Sequence, residues 1–149
     1  MKPLNELKMQ LESRSVNEGY ARTAVSAFIS QLDPTIEELN DIRTSVSEAV
    51  TNCIVHAYKN SCGKIYIDVK IFGDGKTVTK IRDRGRGIED IKKARQPLFT
   101  TLGGDKAGLG VFPMERLSDK VRVTSTLGKG TTVTLYKTIK GKEQWTEKS

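Results

Sequence analysis

Apolar residues recur at steps of three and four along the segment 36–57, which is the spacing of one face of an α-helix. The stripe consists of Ile36, Leu39, Ile42, Val46, Val50, Cys53 and Ala57. Thr35 precedes it as a candidate N-cap, and the acidic residues Glu37 and Glu38 suit the positive end of the helix dipole. The pattern therefore predicts a long amphipathic helix that buries its apolar side against a second layer of structure.

Further helices and several strands are predicted around this long helix. A helical face starts after Asn17 and consists of Tyr20, Ala24, Ala27, Phe28 and Leu32, and Asp33-Pro34 ends that helix. A short helix is expected near 90–95 and another over 111–117. Strands are expected through Leu7, Met9 and Leu11 and over 64–72, 76–82, 120–125 and 131–138, with a hairpin turn at Gly73-Asp74-Gly75. The predicted fold class is α/β, a two-layer sandwich with helices on one face of a mixed, mostly antiparallel sheet.

Length and composition limit the classes of protein that fit this chain. Its 149 residues suit one domain, predicted to cover 1–138, and the basic segment 139–149 is expected to be a flexible tail. The chain has no apolar run that suits a membrane span or a secretory signal, and two cysteines are too few for a disulfide framework. A cytoplasmic location is therefore expected. The formal net charge is +7, but the basic residues are dispersed, which argues against direct nucleic-acid binding.

The long helix also carries polar residues that suit metal and proton chemistry. Glu48 and Asn52 are four residues apart and project from the same side, and His56 extends that line by another turn. An asparagine carbonyl oxygen can bind Mg²⁺, and a glutamate can accept a proton from a hydroxyl group. A solvated polar edge of the helix is the alternative, and it is the better explanation when the pair is taken alone.

A second candidate segment lies at the end of the strand 76–82. Asp83 can accept a hydrogen bond from the amino group of adenine, and Gly85 and Gly87 allow the backbone to approach the base closely. The alternative is a simple glycine-rich turn, which explains the glycines but leaves the aspartate at the strand end without a role.

The third candidate segment is the glycine-rich stretch 103–110, which leads into the predicted helix 111–117. Backbone N–H groups at a helix start, together with Lys106, suit a phosphate group. The stretch matches neither the P-loop nor the dinucleotide-binding fingerprint. Near the last strand, Thr131 places a hydroxyl group where it can support Asp83 through a water molecule, although threonine is also a common strand residue.

Together these segments resemble a known superfamily in their order and spacing. A helix with Glu-x-x-x-Asn, a strand ending in Asp-x-Gly-x-Gly, a lid with Gly-x-Gly and a final Gly-Thr-Thr are similar to the GHKL superfamily, whose ATP site has the Bergerat fold. Within it the chain resembles the anti-sigma factor serine kinases, in particular those of sporulation. The segments that carry this likeness are 17–22, 31–35, 46–52 and 94–101.

The resemblance implies partners, cofactors and residue roles. It implies a homodimer that binds a sigma factor and phosphorylates a serine of an anti-anti-sigma protein with ATP and Mg²⁺. Carried over by position, Glu48 is the general base, Asn52 the Mg²⁺ ligand, Asp83 the adenine contact, and Arg22 the contact for both protein partners. The other residues assigned to the nucleotide are His56, Gly85, Gly87, Thr100, Thr101, Gly108, Leu109, Gly110 and Thr131, with Lys106 as a second catalytic residue.

One departure from the family pattern leaves alternatives open. The lid of the family has an arginine and a serine where this chain has Lys106 and Ala107, and lysine lacks the planar fork that grips phosphate at two points. An ATP-binding anti-sigma or regulatory module with little or no kinase activity is therefore the alternative to a kinase. A detached catalytic domain of a histidine kinase fits the first strand and helix poorly.

Overall fold

The structure is a computed structural model that describes residues 1–59, 61–87 and 111–141, and for 111–113 only the backbone. The elements are β1 (Asn5–Glu12), α1 (Val16–Ile29), α2 (Ile36–Asn52), β2 (Lys64–Ile71), β3 (Lys76–Asp83), α3 (Val111–Leu117), β4 (Lys120–Thr126) and β5 (Gly130–Thr138). A short 3₁₀ turn, Ser30–Leu32, follows α1, and a π-helical turn, Cys53–Ala57, continues α2. The predicted elements within the described residues are all present.

The five strands form one sheet in the order β1-β2-β3-β5-β4, and each pair of neighbours is antiparallel. The predicted α/β sandwich is confirmed, and the described part of the sheet has no parallel pair. In β2 the side chains alternate, so that Ile65, Ile67, Val69 and Ile71 are buried on one face, whereas Leu7, Met9 and Leu11 of the edge strand β1 are only partly buried on it. That face packs against α1 and α2 and forms the core.

The start of α2 at Thr35 and the turn of the β2–β3 hairpin, both predicted from the sequence, are fixed by local hydrogen bonds. Thr35 Oγ1 accepts from the backbone N–H of Glu38, and Glu38 Oε1 accepts from the backbone N–H of Thr35, which is a capping box. In the hairpin turn Gly75 has a φ of +92°, a conformation that favours glycine, and its N–H donates to Phe72 O at 3.0 Å. Both predictions are confirmed.

The predicted face of α1 is only partly correct. Phe28 and Leu32 are half-buried against the core, but Tyr20 is 59% exposed. The buried residues are Ser26 and the stripe Ala21, Val25 and Ile29, which lies one position further along the helix. Val25 and Ile29 are four residues apart and bury branched side chains, so the helix turns this stripe toward the sheet. Ile36, at the first position of α2, is also exposed.

The chain that follows β5 contacts the domain before the described residues end. Ile139 is buried and donates its N–H to Gly75 O at 2.7 Å. The N–H groups of Lys140 and Gly141 both donate to the Glu38 carboxylate, at 2.7 and 3.0 Å. The division of the chain at residue 138 stays a prediction. None of the helices in the described part is long and apolar enough to cross a membrane.

Candidate functional site

Asp83, the last residue of β3, is the centre of the candidate site. Its side chain is only 6% exposed, and it points to the helix side of the sheet because Thr79 and Ile81 alternate inward with it. Its Oδ1 accepts from the backbone N–H of Gly85 at 2.9 Å and of Thr131 at 3.2 Å. Burial raises the pKa of this carboxyl above its usual value, and the two backbone donors offset part of that rise.

The other oxygen of Asp83, Oδ2, contacts the π-helical turn Cys53–Ala57, which is called α2's extension below. Cys53 Sγ lies 3.6 Å from Asp83 Oδ2, and it also lies 3.4 Å from the carbonyl oxygen of Ala49. Burial and the neighbouring Asp83 raise the pKa of the Cys53 thiol well above its usual value, so the thiol keeps its proton. The sequence analysis placed Cys53 in the apolar stripe only. Its position directly after Asn52 was the signal that could have assigned it to the site.

The polar residues of α2 lead up to Cys53, so the C-terminal end of this line approaches the end of β3. Glu48 and Asn52 are half-buried, four residues apart, and Asn52 immediately precedes the thiol that contacts Asp83. No hydrogen bond or ion pair links the Glu48 or Asn52 side chain to another residue in the described ranges. His56 is buried in the π-helical turn, which is closed by the N–H of Tyr58 donating to Cys53 O at 3.2 Å. Turns of this kind often occur at functional sites.

The loop after Asp83 is fixed to α2's extension by close backbone packing. A Cβ at Gly85 would meet Ala57 O at 2.3 Å, and a Cβ at Gly87, whose φ is +76°, would meet Thr126 O at 2.4 Å. Arg86 N also donates to Ala57 O at 3.1 Å. In the structure the two glycines thus allow the protein to approach itself closely, and their contact with a nucleotide stays a prediction.

Tyr58 supports the same loop, and the sequence analysis gave it no role. Its hydroxyl donates to Lys64 O at 2.7 Å and accepts from the backbone N–H of Arg84 at 2.7 Å. The residue directly after Asp83 is therefore tied to the start of β2. Burial raises the pKa of the Tyr58 hydroxyl, so it remains protonated and can donate.

Thr131 supports Asp83 through its backbone. The Thr131 hydroxyl lies 2.7 Å from Ser125 Oγ, while its N–H donates to the carboxylate. The preceding Gly130 has a φ of +119°, and a Cβ there would meet Asp83 O at 2.2 Å. Gly-Thr at the start of β5 therefore packs directly against the end of β3, and the water-mediated hydroxyl contact that we expected stays a prediction.

The remaining predicted residues lie elsewhere. Arg22 lies on the exposed side of α1, where its guanidinium is 3.7 Å from Glu18. The predicted residues Thr100, Thr101, Lys106, Gly108, Leu109 and Gly110 and the short helix near 90–95 lie outside the described residues. Within the described ranges no group of three or more His, Cys, Asp or Glu side chains forms a metal site.

Comparisons with known proteins identify the same kind of domain. The family model described as a histidine kinase-like ATPase domain matches residues 11–137. The anti-sigma F factor of Caldanaerobacter subterraneus subsp. tengcongensis is 52% identical over 136 residues, covering 91% of this chain and 94% of that protein. The anti-sigma F factor of Geobacillus stearothermophilus is 49% identical over 134 residues, covering 89% of this chain and 92% of that protein.

Two solved structures share the fold. The RsbU and RsbW domains of Rv1364c from Mycobacterium tuberculosis superpose with a TM-score of 0.65 at 22% identity, covering 92% of this chain and 33% of that one. The histidine kinase domain of the blue-light activated histidine kinase from Erythrobacter litoralis gives a TM-score of 0.55 at 20% identity, covering 87% of this chain and 63% of that one.

Proposed function

Because the chain belongs to the histidine kinase-like ATPase domain family, we propose that it is an anti-sigma factor that binds and inhibits a sigma factor and uses Mg-ATP to phosphorylate a serine of an anti-anti-sigma protein. The chain matches nearly the whole length of relatives named anti-sigma F factor, which supports the regulatory role. The observation that carries the nucleotide part is the buried Asp83 carboxylate, held by donors from three separate segments.

Asp83 has the chemistry needed to recognise adenine. Its Oδ1 is occupied by two backbone N–H groups, so the carboxylate has a fixed orientation. Its Oδ2 has only the weakly donating Cys53 thiol beside it among the described residues, which leaves acceptor capacity on that oxygen. This oxygen can accept a hydrogen bond from the exocyclic amino group of adenine.

Glu48 and Asn52 have the chemistry needed for the metal and for proton transfer. Both side chains are half-buried without a described protein partner, and such polar groups are costly to bury unless a ligand uses them. We assign the Asn52 carbonyl oxygen to Mg²⁺, which when bound neutralises charge on the phosphates. Glu48, one turn before Asn52, accepts the proton of the substrate serine hydroxyl.

Lys106, Thr100 and Thr101 remain predictions on the phosphate side, together with Gly108, Leu109 and Gly110. Lys106 would neutralise phosphate charge, and backbone N–H groups near the two glycines would bind phosphate oxygens. Gly85, Gly87, His56 and Thr131 complete the proposed adenine side.

The exposed side of α1 is proposed as the surface for both protein partners. Val16 is 76% exposed and Tyr20 is 59% exposed, and they lie one turn apart on α1, while Arg22 is exposed on the other flank of the buried Ala21. Exposed aromatic residues and arginines are both enriched in protein–protein interfaces, which supports a partner role for this helix. A homodimer in the cytoplasm is part of the same proposal.

Glu48→Gln tests the enzymatic part. The variant and the wild-type protein are incubated with ATP, Mg²⁺ and the cognate anti-anti-sigma protein, and phosphoserine and the Kd of ATP are both measured. We expect Glu48→Gln to lose at least about 100-fold in rate, the range of general-base catalysis, while its Kd for ATP changes little. Glu37→Gln, an exposed change in the first turn of α2, is the matched control and retains full rate.

The same experiment decides between the two candidate functions. Wild-type protein that binds ATP and the sigma factor but forms no phosphoserine would establish the regulatory module without kinase activity. That outcome would attribute the loss of activity to the lid, where Lys106 replaces the family's arginine.

A further inference from the structure

The two oxygens of Asp83 are held in different ways. Oδ1 accepts from two backbone N–H groups, which no side-chain substitution removes. Oδ2 is contacted by one side chain in the described part of the chain, the thiol of Cys53 at 3.6 Å. Oδ2 is also the oxygen to which the proposed function assigns the amino group of adenine. Among the described residues, the thiol is therefore the side chain that contacts the oxygen proposed to recognise that amino group.

Cys53 is placed there by the local geometry of α2's extension. It is the first residue of the π-helical turn and is 3% exposed. Its single proton has two acceptors within reach, the carbonyl oxygen of Ala49 and the carboxylate of Asp83. A charged acceptor forms the stronger hydrogen bond, so the carboxylate is favoured. In this contact the thiol is the donor and Asp83 Oδ2 is the acceptor.

We propose that Cys53 is a positioning residue for nucleotide specificity, whose thiol donates to Asp83 Oδ2 and holds that oxygen as the acceptor for the exocyclic amino group of adenine. The inference rests on the proposed nucleotide site. It assigns a functional role to a residue that would otherwise be regarded only as part of the apolar core between α2 and the sheet. With the thiol in place, Oδ2 has a partner on its helix side and presents its remaining lone pair to the pocket.

A comparison of two nucleotides isolates this role from general packing. ATP carries the 6-amino group, and purine riboside triphosphate is the same molecule without it. Their dissociation constants are measured by calorimetry with Mg²⁺ for the wild-type protein, Cys53→Ala, Cys53→Ser and Cys62→Ala. Cys62 is the exposed cysteine of the chain and supplies the matched control. Thermal unfolding of each variant reports whether the fold is retained.

We expect the wild-type protein to prefer ATP, and Cys53→Ala to bind ATP about fivefold more weakly, the effect of one net hydrogen bond. Its Kd for purine riboside triphosphate should stay within about twofold of wild type, because no amino group is present to lose its acceptor. Cys53→Ser keeps a donor and should retain the preference for ATP. Cys62→Ala should match wild type with both nucleotides.

Three results would overturn the inference. An equal loss of both nucleotides in Cys53→Ala would mean that the residue only fills space. Wild-type values of both dissociation constants in Cys53→Ala, or the same reduced preference for ATP in Cys53→Ser, would mean that the donor has no role. Failure of the proposed function has a different signature, since the wild-type protein would then bind neither nucleotide or bind both equally.

Discussion

Replacing Asp83 by asparagine removes the charge at the centre of the site while preserving its shape. The asparagine Oδ1 can still accept from the backbone N–H groups of Gly85 and Thr131. The opposite orientation of the amide is excluded, because its NH₂ group would then face the two backbone N–H groups. Both N–H groups and the NH₂ group would lack an acceptor, at a cost of about 1–3 kcal/mol for each unpaired donor. The NH₂ group must therefore take the place of Oδ2 and point at the adenine amino group.

The magnitude of the loss follows from that geometry. A hydrogen bond to a charged acceptor contributes about 1.5–3 kcal/mol, and it is replaced by two facing donors. We expect a loss of about 2–3 kcal/mol in binding, which corresponds to an increase of about 30- to 150-fold in the Kd of ATP. Folding should change by less, about 1 kcal/mol, because weaker hydrogen bonds are offset by relief from burying a charge.

Calorimetric titration with Mg-ATP measures the loss, and urea unfolding measures the stability of the same samples. Asp68→Asn is the control, since Asp68 lies on the opposite face of the sheet, 3.8 Å from the Lys8 ammonium. Asp83→Asn protein that is folded and binds ATP as tightly as wild type would refute the assignment of Asp83 to adenine.

The raised pKa of Asp83 adds a pH signature to the same variant. The folded state holds this proton to a higher pH than the unfolded chain does, so wild-type stability declines as pH rises through the window between the two pKa values. Asp83→Asn lacks that decline. ATP affinity should have the opposite dependence, because accepting a hydrogen bond from the adenine amino group requires the ionised carboxylate. Wild-type affinity should therefore fall as pH drops through the pKa of Asp83 in the folded state. Unfolding and binding measured across acidic pH check both signs.

Three further substitutions, one of them paired with a control substitution, test the framework around the site. Gly130→Ala should lower the free energy of unfolding by more than about 2 kcal/mol, since a Cβ there would meet Asp83 O at 2.2 Å. Its control is Gly128→Ala, where φ is +80° but the space is open, and the expected loss is only about 1 kcal/mol. Equal losses for the two variants in urea unfolding would contradict the packing argument. Tyr58→Phe removes a donor and an acceptor for two backbone groups and should lower stability by about 1–3 kcal/mol in the same assay, with an unchanged value counting against the observed bonds. Glu38→Ala should lower stability by about 1–2 kcal/mol, and its carboxylate, whose pKa burial alone would raise, is brought below its usual value by backbone donors. The wild-type advantage over Glu38→Ala is therefore complete above the usual glutamate pKa and disappears as pH falls through the lowered one, and a constant difference across that range would be inconsistent with it.

The parts of the fold that the sequence predicted are those decided by neighbouring residues. Thr35 and Glu38 are three apart and close their capping box within one turn. The glycine-rich turn after Phe72 and the strand alternation in β2 likewise depend on short spacings. The order of motifs that indicated the superfamily also consists of short segments. Short-range chemistry therefore predicted the elements, whereas the kind of protein was indicated by the resemblance of the motif order to a known superfamily.

The errors arose where two short-range answers were equally good. Helix α1 has two apolar stripes that differ by one position, and the sequence contains both Tyr20 with Ala24 and Ala21 with Val25. A shift of one residue turns a helix by about 100°, so choosing between the stripes requires knowing where the sheet lies. The burial of Ala21 and Val25 is decided by packing against α2 and the sheet, which spacing along one helix does not contain.

The site itself shows why its motifs were individually weak signals. Of the three donors to Asp83, Cys53 and Thr131 lie 30 and 48 positions away along the chain, and Gly85 lies two positions away. Only the last lies within the strand-end motif, so that motif by itself describes a glycine-rich turn. The carboxylate becomes a fixed, partly desolvated acceptor once the α2 extension and the start of β5 have both packed against the end of β3. The proposed recognition of a purine therefore requires the assembled sheet and helix, and a peptide that contained only the residues around Asp83 would have the motif without the site.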